Sequence, residues 1–150
     1  MPTSTPEYAV VTHLGSQYLS ESLVTGSFSF RVTDYVLGDQ GHDPENPLLA
    51  RTPDRSQTLV NDGRPTLFGP TVLGRRGTSG RNLTVGFTLG RLDAVGIFSQ
   101  VCFLATVESV PVGREDLPAV GSQFLFAVAH HPAFVKTSTR EESRDYVFRF

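Results

Sequence analysis

The residues in this chain whose types could do chemistry are one cysteine, four histidines, an adjacent carboxylate pair and scattered serines. Their spacing does not assemble a reactive centre. Cys102 sits inside the apolar run Ile97 to Val107, where a lone thiol reads as a small buried hydrophobe rather than a nucleophile. His130 and His131 are adjacent, so in a strand they point to opposite faces and cannot easily share one metal. His42 lies near Asp39 and Asp43, but without the ligand spacing of a calcium loop or a zinc site. His13 stands at a helix start and reads as a surface or capping residue. Glu141 and Glu142 read as a solvated turn, because a glycosidase pair must face each other across a sugar. No serine occupies a nucleophile elbow, and the run Gly77 to Gly80 lacks the ending of a phosphate loop. The expectation is a chain with no catalytic residues, no metal and no cofactor, and not an enzyme.

Arginine is the other notable group. Of 13 basic residues only Lys136 is lysine, a bias suited to planar, bidentate pairing with carboxylates at interfaces. Arg51, Arg55, Arg64, Arg75, Arg76 and Arg81 fall in or beside the stretch from about 41 to 80. With Leu67 and Phe68 as an apolar anchor, these residues form a candidate protein interface. Solvated loop charge is the competing reading. Nucleic acid fits less well, because Asp43, Glu45, Asp54 and Asp62 dilute the positive charge and no stacking aromatics alternate with the basic residues.

A chain of 150 residues is one domain by size, able to bury about two thirds of its unfolded surface without staples. One cysteine excludes a disulfide framework within the chain. A net charge of −2 gives no reason to expect nucleic acid or an anionic membrane as partner. No stretch approaches the roughly 18 apolar residues of a membrane helix, and residues 1–7 have neither the basic start nor the apolar stretch of a signal peptide. They read as an extended N-terminal tail. Asn82 to Thr84 matches a glycosylation sequon, and without secretion the match reads as accidental.

The elements that must position these residues are mostly strands. Tyr8 to Val11 reads as a short strand. Thr12 is a helix N-cap, Leu14, Tyr18, Leu19 and Leu23 recur at helical spacing over about 13–24, and Gly26 suits the C-cap. In Ser27 to Val36, through Phe28, Phe30 and Val32, and in Leu83 to Leu89, apolar residues alternate with Ser, Arg, Thr or Gly, the period of a half-buried strand. Gly96 to Val107 is nearly all apolar and predicts burial on both faces. Gln123 to His130 and Arg144 to Phe150 complete the set, with Tyr146, Phe148 and Phe150 on one face. Residues 41–80 are dense in Gly, Pro and Arg and read as a long loop. The predicted class is α+β, mainly β, with an antiparallel or mixed sheet or sandwich and one N-terminal helix.

The segment Tyr8-Ala-Val-Val-Thr-His-Leu-Gly15, then Leu19, then Phe30-Arg-Val-Thr-Asp-Tyr-Val-Leu-Gly-Asp-Gln-Gly41 resembles the N-terminal module of bacteriophage tail-collar or tail-fibre proteins. Phe124-Leu-Phe-Ala-Val-Ala-His-His-Pro-Ala-Phe-Val-Lys136 is similar to that family's later segment. The motifs are short and the middle of the chain matches poorly.

The resemblance implies a structural protein of the virion, located at the tail or baseplate and assembled in the host cytoplasm. It would dock fibre or neighbouring baseplate proteins and form a homo-oligomer there, with no nucleic acid and no membrane insertion. A complete fibre would continue into a shaft and tip, so the expectation is a free-standing adaptor whose last aromatic face is packed, including against another copy. Two alternatives stand beside it: a head-to-tail connector or tail-terminator subunit, and a small carbohydrate-binding β domain, the latter weakened by the absence of Trp.

Overall fold

The computed structural model describes residues 7–58 and 68–150. Within them the chain runs β1 (Glu7–Val11), α1 (His13–Thr25), β2 (Ser29–Gly38), β3 (His42–Asp43), β4 (Asn46–Ala50), β5 (Phe68–Val72), β6 (Arg75–Ser79), β7 (Asn82–Leu89), β8 (Gly96–Ser109), β9 (Gln123–Lys136) and β10 (Glu142–Arg149). Eight strands make one curled sheet in the order β5-β2-β8-β9-β1-β10-β7-β6, and β3 pairs with β4 separately. The only parallel pair among them is β1 with β10. The class is α+β, mainly β, with one helix, as the patterning predicts.

The sheet curls until its two ends meet. β5 pairs with β2 and β6 with β7, and only Leu73 and Gly74 separate β5 from β6 along the chain. Tyr35 of β2 stacks on Phe87 of β7 across the interior, with ring centroids 4.0 Å apart and planes 9° from parallel. Phe103, Phe126, Tyr146 and Phe148 fill the same inner core. A second, smaller cluster of Val36, Cys102, Leu104, Leu125 and Val128 lies on the other face of β2, β8 and β9. Two clusters on opposite faces explain why β8 reads as a continuous apolar run.

α1 starts where the sequence places it. Thr12 is fully buried, and its hydroxyl accepts from the Gly15 N–H and donates to the Leu125 carbonyl. The cap therefore also ties the helix to β9. At the other end Gly26 has φ +75° and donates to the Ser22 carbonyl, a conformation that favours glycine. Leu14 and Tyr18 pack on the core, whereas Leu23 and Val24 are 80% and 85% exposed.

Four expectations change. The stretch 41–80 is not loop throughout: β3, β4, β5 and β6 occupy much of its described part. Period-two patterning fails there because β4 is exposed on both faces and β6 reads Arg-Arg-Gly-Thr-Ser, so no buried face imposes alternation. β9 continues past His130 through Pro132 to Lys136. Its ladder slips from the pair Gln100↔His130 to Phe98↔Phe134, so Pro132 falls in a bulge, where no ladder donor is required. Tyr146 and Phe148 are buried as expected, but Phe150 is 56% exposed. Of the expected tail, Glu7 is the first residue of β1 and residues 1–6 lie outside the described residues.

Candidate functional site

The two ends of the sheet meet only in part. β5 pairs with Asp34, Tyr35 and Leu37 of β2, and the Leu73 N–H donates to the Thr33 carbonyl. Beyond Gly74 the chain leaves β2 and follows β7 as β6. Ser29 to Val32 therefore pair with β8 on one side and have no strand on the other among the described residues. The outer edge of β6 is open in the same way.

Between these edges lies an apolar groove of about 430 Å³, lined by Leu19, Phe30, Val32, Leu83, Val85, Phe126 and Phe148, with Arg31 and Arg76 beside them. One polar link crosses it. The Arg76 guanidinium donates to the Val32 carbonyl at 3.1 Å. A side chain thus satisfies an edge carbonyl that a neighbouring strand would otherwise satisfy. The groove residues come from β2, β6, β7, β9, β10 and α1. All of these elements but β6 were legible in the sequence, and nothing local marks where a curled sheet will fail to close.

A second concavity, about 350 Å³ and polar, lies on the outer face, lined by Gln40, Arg51, Thr52, Asp54, Ser56, Gln57, Thr58, Gln100 and His130. His130 Nδ1 lies 3.3 Å from the Arg51 carbonyl and its Nε2 3.4 Å from the Gln100 amide. Burial lowers the His130 pKa. His131, its neighbour, points inward as the strand period requires, and stands between Glu7 and the Tyr146 hydroxyl. Arg144 joins this network at 2.6 Å from Glu7 and with its guanidinium 3.8 Å from the centroid of Phe134. Burial and the positive Arg144 push the His131 pKa down to about 3. A neutral ring satisfies both neighbours, with Nδ1–H donating to Glu7 and Nε2 accepting from Tyr146. This network bonds β1, β9 and β10 together in the interior. Sequence spacing could not reveal it, because Glu7 and His131 are far apart in the chain.

Cys102, Ser99 and Lys136 are each buried. Cys102 is buried, and burial pushes its thiol up to about 12, far from the thiolate that reacts. Ser99 is fully buried, with its hydroxyl 2.9 Å from the Gly41 N–H and 2.7 Å from His42 Nδ1. Among the described residues no group of three His, Cys, Asp or Glu side chains is arranged to hold a metal ion. Lys136 is buried, its ammonium donating to the carbonyls of Gly90, Arg91 and Thr137.

The structure separates the arginines of the predicted interface. Arg51 lines the polar concavity and donates from its backbone to the Gly41 carbonyl. Arg55 turns inward on the chain, donating to the Val11 carbonyl at 2.9 Å while its own carbonyl accepts from His13. Arg75 clamps two strands through Asp145, Thr88 and the carbonyls of Phe87 and Arg144. Arg76 crosses the groove, and Arg81 is exposed at the β6–β7 turn. Arg64 and Leu67 lie outside the described residues, and of Phe68 only the backbone, at the start of β5, is described. No family model matches the chain, and neither a curated protein nor a solved structure matches it.

Proposed function

We propose that this chain is a non-enzymatic structural protein of a bacteriophage virion, an adaptor at the tail or baseplate that docks fibre or neighbouring baseplate proteins and is present there in several copies. The observation that carries the docking part is the apolar groove at the incomplete closure of the sheet. An exposed apolar concavity flanked by open strand edges suits a protein partner, which can cover the apolar side chains and pair the backbone together. Leu23 and Val24 are also exposed on α1, the element that contributes Leu19 to the groove. The tail assignment rests on the resemblance of residues 8–41 and 124–136 to tail-collar and tail-fibre modules. In the structure these two segments contact each other: Thr12 bonds Leu125, and the Thr12 N–H donates to the Phe126 carbonyl.

Mass spectrometry and electron microscopy of purified particles test the proposal. The expected result is this chain in fixed stoichiometry at the tail or baseplate. Its absence from particles that retain complete tails overturns the assignment.

A further inference from the structure

We infer that the groove between β2 and β6 receives one extended strand of a partner protein, which adds to the open edge of Ser29 to Val32, places apolar side chains on Phe126 and Phe148, and carries carboxylates at its ends. The inference specifies the partner for the docking surface proposed above and rests on that reading.

Three observations converge. First, the open edge of β2 continues the line of a strand that exists. β5 runs antiparallel to β2 through the pair Asp34↔Val72, and Leu73 bonds Thr33. At the next residues the chain leaves for β7, so the position beside Ser29 to Val32 is vacant among the described residues. Backbone donors and acceptors on such an edge are satisfied by water or by another strand.

Second, the floor is built for the inward side chains of a strand. Phe30, Val32, Leu83, Val85, Phe126 and Phe148 line it, and the Phe126 ring contacts both Phe30 and Phe148, with ring centroids 5.7 and 5.6 Å apart. In strand addition the ladder supplies affinity and alternate side chains entering such a floor supply specificity.

Third, the charge at the groove has one sign. Among the described residues Arg31 and Arg76 line it and no carboxylate does. Arg31 stands 3.8 Å from Glu108 with both side chains largely exposed, a weak pair that a partner carboxylate can replace. Arg76 spends a donor on the Val32 carbonyl, the acceptor that an incoming strand's N–H would take. Displaced, its guanidinium is left beside the incoming strand, where a carboxylate answers it.

The test uses the full chain and a synthetic peptide of alternating valine and threonine between terminal aspartates, read by amide hydrogen exchange. The expected result is protection gained at Ser29 to Val32 and on the facing edge of β6, absent with a peptide whose alternate amides are N-methylated. Arg76→Glu is expected to weaken the peptide about tenfold, or about 1.4 kcal/mol, and a peptide ending in lysines to recover that loss. The unliganded exchange pattern of the variant reports whether it folds. No protection at either edge at millimolar peptide, equal binding by the methylated peptide, or protection confined to α1 overturns the inference. Those results leave the adaptor reading standing if the chain is found in particles, and a bound peptide with no chain in particles does the reverse.

Discussion

The Tyr146 hydroxyl lies 2.9 Å from His131 Nε2 inside the curled sheet, and both side chains are buried. A tyrosine that donates to an imidazole requires the ring to be neutral. Burial and Arg144 hold it so, taking the His131 pKa from 6.5 to about 3. Tyr146 is itself pushed well above its ordinary value by burial. The pair therefore keeps one protonation state across the neutral range, and His131 gains a proton only in acid.

Stability is expected to fall as pH drops from 7 toward 5. Below about 6.5 the unfolded chain binds a proton at His131 that the folded chain refuses, so each pH unit costs about 1.4 kcal/mol for one fully shifted histidine. His130, also lowered by burial, acts with the same sign. Glu7, raised by burial, has the opposite sign: its contribution favours the folded state at low pH and is lost as pH rises through its folded value, above 4.5. Urea denaturation at several pH values checks the slope. NMR titration is expected to show the His131 ring unprotonated at pH 5, and a protonated ring there contradicts the assignment.

Gly15→Ala is expected to destabilise the chain even though alanine favours helix by about 1 kcal/mol. A Cβ at Gly15 would stand 2.7 Å from the Phe126 carbonyl and 3.0 Å from its ring, and relieving such a clash costs about 1–3 kcal/mol. Gly41→Ala is expected to be worse, since the Cβ would lie 1.9 Å from the Ser99 carbonyl. Chemical denaturation of both variants, with Gly77→Ala as a control whose Cβ would meet nothing closer than 3.9 Å, reads the difference.

Arg75 and Arg81 are near neighbours in sequence with different expected effects. Arg75→Ala removes hydrogen bonds to Asp145, Thr88 and two backbone carbonyls, and is expected to cost about 1–2 kcal/mol, discounted for its partial exposure. Arg81→Ala, at an exposed turn, is expected to stay within about 0.5 kcal/mol. Thermal melts of the two variants compare them directly, and equal losses would remove the structural role given to Arg75.

Cys102 is expected to resist an aromatic disulfide reagent in the native protein and to react fully in denaturant. Its burial and its thiol pKa of about 12 both withhold the thiolate. Labelling followed by absorbance is the measurement, and rapid native labelling would place the thiol elsewhere.

The strands around β8 and the helix α1 were legible because one or both faces are buried and the period follows from that burial. The Thr12 cap and the opposite directions of His130 and His131 were legible for the same kind of reason, since local geometry decides them. β4 and β6 were not, because exposed strands need no alternation. Nor was the separation of the arginines. Whether Arg55 bonds Val11 or Arg75 bonds Asp145 depends on which strands become neighbours.

Sequence alone determined the mainly β class, the position of α1 and the buried thiol, each set by residues close together in the chain. Tertiary structure alone decided the Glu7–His131–Tyr146 network and the groove at the seam of the sheet. The network joins residues from both ends of the chain. The groove exists because β5 follows β2 and β6 follows β7, a choice made by the curl of the whole sheet rather than by any segment of it.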